Sequence, residues 1–168
     1  MLLYPFEKEV DLSAQQVTDI IQVNWGFITT GVEWVPGYTL GIGSQSKESD
    51  HLYLFSRGDP DETSGERTWV IEDAIDFTNY NTLKIDWEFT QEVSGNAYVG
   101  IWDAQMTRYA ISPWLLRVAY ADSFARQITS HDISDINEEG YVRVHSRASS
   151  IYTDRTATIK VYEVWLEE

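Results

Sequence analysis

The chain has 168 residues, the length of one domain with room for a sizeable core. Hydrophobic residues make up 43% and aromatics 14%, with 7 Trp and 10 Tyr, which excludes a disordered chain and favours an aromatic-rich β protein. A formal net charge of −15 argues against nucleic acid and anionic membrane surfaces as partners, since both are held through Lys and Arg.

There is no cysteine, so disulfides and thiolate metal sites are excluded and the fold rests on its core. The opening MLLYPFEKEV has no basic segment followed by a long apolar run and does not read as a secretory signal. No stretch approaches the roughly 20 apolar residues of a membrane-spanning helix.

In chain order, residues 2–10 alternate weakly and read as a first strand with Tyr4 or Phe6 buried. Val17, Ile20 and Ile21 stand at helical spacing behind Ser13, which predicts either a short helix over 13–21 or an irregular crossing. Strands are expected over 24–30 and 32–35, the second ended by Pro36-Gly37. Residues 41–50 read as a polar loop, 51–56 as a strand, 57–67 as a long charged loop and 68–72 as a strand.

The stretch 73–102 carries the clearest pattern. Leu83, Ile85, Trp87 and Phe89 point one way, and Lys84, Asp86, Glu88 and Thr90 the other. After Ser94-Gly95-Asn96 a second strand places Ala97, Val99 and Ile101 on one face and Tyr98, Gly100 and Trp102 on the other. Burying the large apolar groups is worth roughly 1.5–3 kcal/mol each, so they demand a partner layer. The pair reads as the central hairpin of a two-sheet sandwich.

A turn follows at 104–107, then strands over 109–112 and 114–120 interrupted by Pro113, which suggests an edge or a bulge. Residues 124–129 form a short strand, 131–139 a polar connection, and 141–148 and 156–166 two closing strands. Some ten short strands with little helix predict an all-β sandwich of two antiparallel sheets, a single domain over 1–168. Its core would be Leu83, Ile85, Trp87, Phe89, Val99, Ile101, Val142, Val144, Ile159 and Val161.

Two stretches carry a family likeness. They are IDFTNYNTLKIDWE at 75–88, and the run from Phe124 through HDISDI at 131–136 and GYVRVHSR at 140–147 to IKVYEVWLE at 159–167. Together they resemble a jelly-roll module of bacteriophage and prophage tail, baseplate and minor structural proteins. More distantly they are similar to galactose-binding-like jelly rolls and carbohydrate-binding modules. The resemblance implies a virion part without catalysis, with virion neighbours, further copies of itself or a host-surface glycan as partners. It also implies extracellular release with the particle. Such modules serve both as host-surface binders and as structural decoration.

The candidate ligand face is Tyr98, Trp102, Tyr141, Arg143 and His145, with Arg147 on the same side of its strand. Aromatic rings stack on sugar rings, and Arg and His donate hydrogen bonds to hydroxyls. The competing reading covers this face with a loop or a neighbouring subunit. Asp86 and Glu88, about 7 Å apart along a strand, match the carboxylate separation of glycoside hydrolysis, yet alternation yields such pairs in any half-exposed strand. Asp59, Asp61, Glu62 and Glu66 read as a solvated acidic loop rather than a calcium site. In galactose-binding-like jelly rolls a structural calcium would point instead to Glu7, Glu9 or Glu163. No cofactor is expected. His51, His131 and His145 lie too far apart to read as a metal motif, and Arg57-Gly58-Asp59 reads as chance.

The resulting expectation is a non-enzymatic virion module, with attachment to host glycans as a further role. The alternatives are a carbohydrate-binding module of an extracellular polysaccharide-degrading system and, more weakly, a small glycoside hydrolase or lyase.

Overall fold

The computed structural model describes residues 33–59, 64–105, 110, 113–149 and 154–168. The expected strands over 2–10 and 24–30, the segment 13–21, Tyr4, Phe6, Glu7, Glu9, Asp61 and Glu62 lie outside them. The described residues form β1 (Trp34–Leu40), β2 (Ile42–Lys47), β3 (Leu52–Gly58), β4 (Ser64–Ile71), β5 (Ile75–Asp76) and β6 (Thr82–Glu92). They continue with β7 (Gly95–Asp103), β8 (Trp114–Tyr120), β9 (Phe124–Asp132), β10 (Glu139–Ser149) and β11 (Arg155–Glu167).

Two antiparallel sheets pack face to face as a jelly-roll sandwich. One runs β1-β4-β10-β7-β8, with β5 beside β10, and the other runs β2-β3-β11-β6-β9. Alternation explains the core: every second residue turns inward, and the inward residues are the apolar ones. All ten expected core residues are fully buried, joined by Leu52, Leu54, Trp69, Ile71 and Val164 among others. Trp87 sits at the centre. Its ring meets Tyr120 and Phe124 edge-on at 5.0 and 5.1 Å, and its Nε1 donates to Thr129 Oγ1 at 2.9 Å.

The expected hairpin is corrected. β6 pairs with β11 and β9, whereas β7 pairs with β10 and β8 in the opposite sheet. The apolar rows of β6 and β7 therefore face each other across the core instead of lying side by side. Both arrangements leave the same alternation in the sequence, so the pattern could not separate them. The crossing is made in three residues: Ser94 N–H donates to Glu92 O at 2.9 Å, with Val93 between them at φ 69°. Gly95 then passes close to β11, where a Cβ would lie 2.8 Å from the Ala157 side chain.

Three boundaries also differ. The expected loop 41–50 contains β2, a polar strand at a sheet edge with no buried apolar row to reveal it. Pro36-Gly37 does not end its strand, because β1 is an edge strand and its register shifts between Pro36 and Thr39. The charged loop 57–67 is shorter than expected, since β3 runs to Gly58 and β4 starts at Ser64.

Candidate functional site

Strand register assembles the face that points away from the core on the first sheet. Tyr141 stands opposite Trp102, and Trp102 opposite Trp114, which puts three aromatic residues in one row across β10, β7 and β8. The next row is Val70, Arg143, Gly100 and Arg117. Behind it come Thr68, His145, Tyr98 and Ala119, and then Glu66, Arg147 and Asn96. The five residues singled out from sequence thus share one face. Glu66, Trp114 and Arg117 were missed. Glu66 was assigned to a loop, while Arg117 was legible as the polar residue between inward Leu116 and Val118.

The face is not the wet surface expected. Trp102 is 0% exposed, Arg143 1%, Tyr98 6% and His145 8%. Tyr141 and Trp114 are half-buried, and Arg117 is exposed. The cause is mutual covering. The Arg143 guanidinium lies over the Trp102 ring at 3.8 Å, and that ring also meets Trp114 edge-on at 5.2 Å. Arg117 stacks over Tyr98 at 4.1 Å. Arg143 Nη1 donates to the Ala110 carbonyl at 2.8 Å, which adds to its burial. Trp102 is accordingly a floor residue and not a stacking platform. Its Nε1 is buried with no hydrogen-bond partner.

One carboxylate serves two basic side chains here. Glu66 Oε2 lies 2.9 Å from His145 Nε2, and Glu66 Oε1 lies 3.3 Å from Arg147 Nε. Both contacts are close in distance but poorly aligned as hydrogen bonds. Burial alone would raise the Glu66 pKa, but the His145 contact and the charges of Arg147 and Arg117 outweigh it and hold it below the usual value. Burial pushes His145 down in spite of Glu66. The consistent state of this pair is an ionised Glu66 beside a neutral His145. Burial also lowers Arg143 to about 10, which leaves it charged at neutral pH.

The other candidates are held elsewhere. Asp86 accepts from Arg126, the closest contact 2.7 Å, and Glu88 pairs with Lys160 at 2.6 Å, both on the outer face of the second sheet. His51 lies beside Asp50, and His131 contacts Thr129 and Tyr120, so the histidines stay separate. Among the described residues no group of three His, Asp or Glu gathers to hold a metal. Arg57 of the Arg-Gly-Asp tripeptide is tied to Asp154 at 2.7 Å.

No family model matches the chain, and no curated protein matches it in sequence. Solved structures show similarity at low identity. A CBM4 chain has a TM-score of 0.44 at 16% identity, covering 80% of this chain and 93% of that one. The enzymatically active domain of bacteriophage CBA120 tailspike protein 4 has a TM-score of 0.43 at 12% identity, and an arabinose-bound α-L-arabinofuranosidase 0.41 at 13%. The chain spans only 19% and 23% of those two.

Proposed function

We propose that this chain is a non-catalytic carbohydrate-binding module whose ligand lies across the outer face of the first sheet. The observation that carries the reading is the row Tyr141, Trp102 and Trp114, with Arg143 and Arg117 in the row beside it. Its two ends, Tyr141 and Trp114, reach solvent and can stack on the apolar faces of sugar rings, while Arg117 donates to hydroxyls. The floor of Trp102, Arg143, Tyr98, His145 and Glu66 is already packed, so little ordering remains to oppose binding.

Binding without turnover fits the carboxylates. Glycoside hydrolysis uses two of them flanking one bond. Behind the aromatic row Glu66 is already engaged by His145 and Arg147, while Asp86 and Glu88 lie on the other sheet in ion pairs. Such a module would serve equally in a polysaccharide-degrading system or on a phage particle contacting its host's surface. The test is a glycan array read with the parent, Tyr141→Ala and Trp114→Ala. Saturable binding to a defined glycan, weakened in both variants and without release of sugar, supports the proposal. Binding unaffected by both variants would move the site off this face.

A further inference from the structure

We infer that β9 is a dimerisation edge, where a second copy of this chain pairs antiparallel and continues the second sheet. Among the described residues β9 has one strand neighbour, β6, so the backbone groups of its other side have no strand partner there. Edge strands are ordinarily guarded by Pro, Lys, bulges or charges, which stop other chains from pairing with them. The opposite margin has such guards. β1 carries Pro36 and a register shift, and Arg67 donates to the carbonyls of Leu40, Gly41 and Gly43 where β1 passes to β2. β9, with the sequence FARQITSHD, has neither Pro nor Lys. Its register shift lies near its start, and Gln127 to Asp132 run unbroken against Trp87 to Thr82.

What β9 displays selects a second copy as the occupant. Ile128 is 60% exposed, and alternation puts it in the outer row with Arg126 and Ser130. Arg126 is drawn back over the sheet: its Nη2 donates to Asp86 Oδ2 at 2.7 Å, and its guanidinium lies over the Tyr162 ring at 3.8 Å. Its charge therefore does not guard the edge. Residues 124–131 contain no acid, in a chain that has 27. A two-fold axis at Ile128 sets that residue against Ile128 of the second copy, Gln127 against the second copy's Thr129, and Arg126 against the second copy's Ser130. The two isoleucines then cover one another, and no like charges stand directly opposite, where they would destabilise the pair. Each chain carries −15, so an acid-free strand is the place where two of them meet with least repulsion.

The pairing stands without the carbohydrate reading, but its consequence for binding rests on it. The axis is perpendicular to the second sheet, so both copies keep their first sheets on the same side. Their Tyr141, Trp102 and Trp114 rows then look the same way, to within the twist of the sheet. Two such faces engage one glycan surface together, the second at a high effective concentration once the first is bound.

The test is sedimentation equilibrium of the full chain across the micromolar range, at low and at physiological salt. It should show a monomer–dimer equilibrium that tightens as salt screens the two −15 charges. Ile128→Lys, at an exposed position, should weaken the dimer about tenfold or more while keeping the parent's melting temperature. Leu40→Lys, an exposed apolar position on β1, should leave it unchanged. In the parent, β9 amides should gain exchange protection as concentration rises. A chain monomeric throughout would overturn the inference, as would a dimer undiminished in Ile128→Lys or one that leaves the β9 amides unprotected. A dimer lost in Ile128→Lys from a parent that binds no glycan would uphold the pairing and remove the carbohydrate reading. Where a glycan is bound, Ile128→Lys should leave a dense glycan surface faster than the parent, with the same affinity for the soluble oligosaccharide. Equal release would overturn the same-side arrangement of the two faces.

Discussion

The His145 imidazole lies 2.9 Å from the Glu66 carboxylate with both side chains buried, and Arg143, Arg147 and Arg117 all act on the pair. Burying one carboxylate among these arginines makes Glu66 the counter-ion of this cluster. Removing one partner of a buried ionic group typically costs about 3–5 kcal/mol, because the other is left uncompensated. Glu66→Ala should therefore lower stability by about that amount, measured by denaturant unfolding. A loss no larger than that of Glu92→Ala, an exposed site at the end of β6, would show that the face needs no counter-ion.

Acid should destabilise the protein in two stages. His145 and His131 both have folded-state pKa values below the ordinary 6.5, each chiefly because of burial. The folded state thus binds fewer protons than the unfolded chain. The stability they contribute is complete above pH 6.5 and is lost as pH falls through their folded values. Glu66, held below 4.5, adds a second loss under that pH. Easing the repulsion of −15 net charge works the other way, but carboxylates take up protons mainly below about pH 5. The melting temperature should therefore fall between pH 7.5 and 5.5, less steeply in His131→Gln. A rise over that interval would contradict the assignment of both histidines as neutral.

Trp87 faces three aromatic or hydroxyl partners in the middle of the core and is fully buried. Trp87→Ala should cost about 3–5 kcal/mol, as large aromatic deletions do. Trp87→Phe should cost less, since it keeps the ring contacts and loses the bond to Thr129. Equal losses in the two variants would mean that the hydrogen bond, not packing, matters most at this position.

Gly100→Ala should destabilise by more than the usual glycine-to-alanine change, because the new Cβ would meet the Leu116 backbone of β8. An edge strand can yield, so the expected sign is a shift of β8 and loss of amide-exchange protection at Arg117 and Val118. Unchanged protection there would show that β8 is not held as closely as the register implies.

Much of the sandwich was legible because alternation is a local signal that inward packing enforces. Leu83 to Phe89 and Val142 to Val144 declared their faces without any knowledge of their neighbours. What could not be read was which strands meet. The β6–β7 crossing hides behind a turn, Val93-Ser94, that looks like any hairpin turn. β2 has no buried row, so a polar edge strand and a polar loop carry the same residues. The same limit applied at the site. Alternation put Tyr98, Trp102, Tyr141, Arg143 and His145 on one side, but pairing with β4 and β8 brought in Glu66 and Arg117. Their exposure was misjudged because a guanidinium stacked on an indole buries both, and nothing in a single strand reveals that contact.

The central claim is that the outer face of the first sheet binds glycan through its half-exposed aromatic ends. It is tested most directly by titrating the best ligand from a glycan array into the parent and into a Tyr141→Ala, Trp114→Ala double variant that melts as the parent does. Loss of one stacking ring should weaken binding on the order of tenfold and loss of both by far more, with heat released only on binding and none from turnover. Parent-like affinity in the double variant would contradict the claim and place any glycan site elsewhere on the molecule.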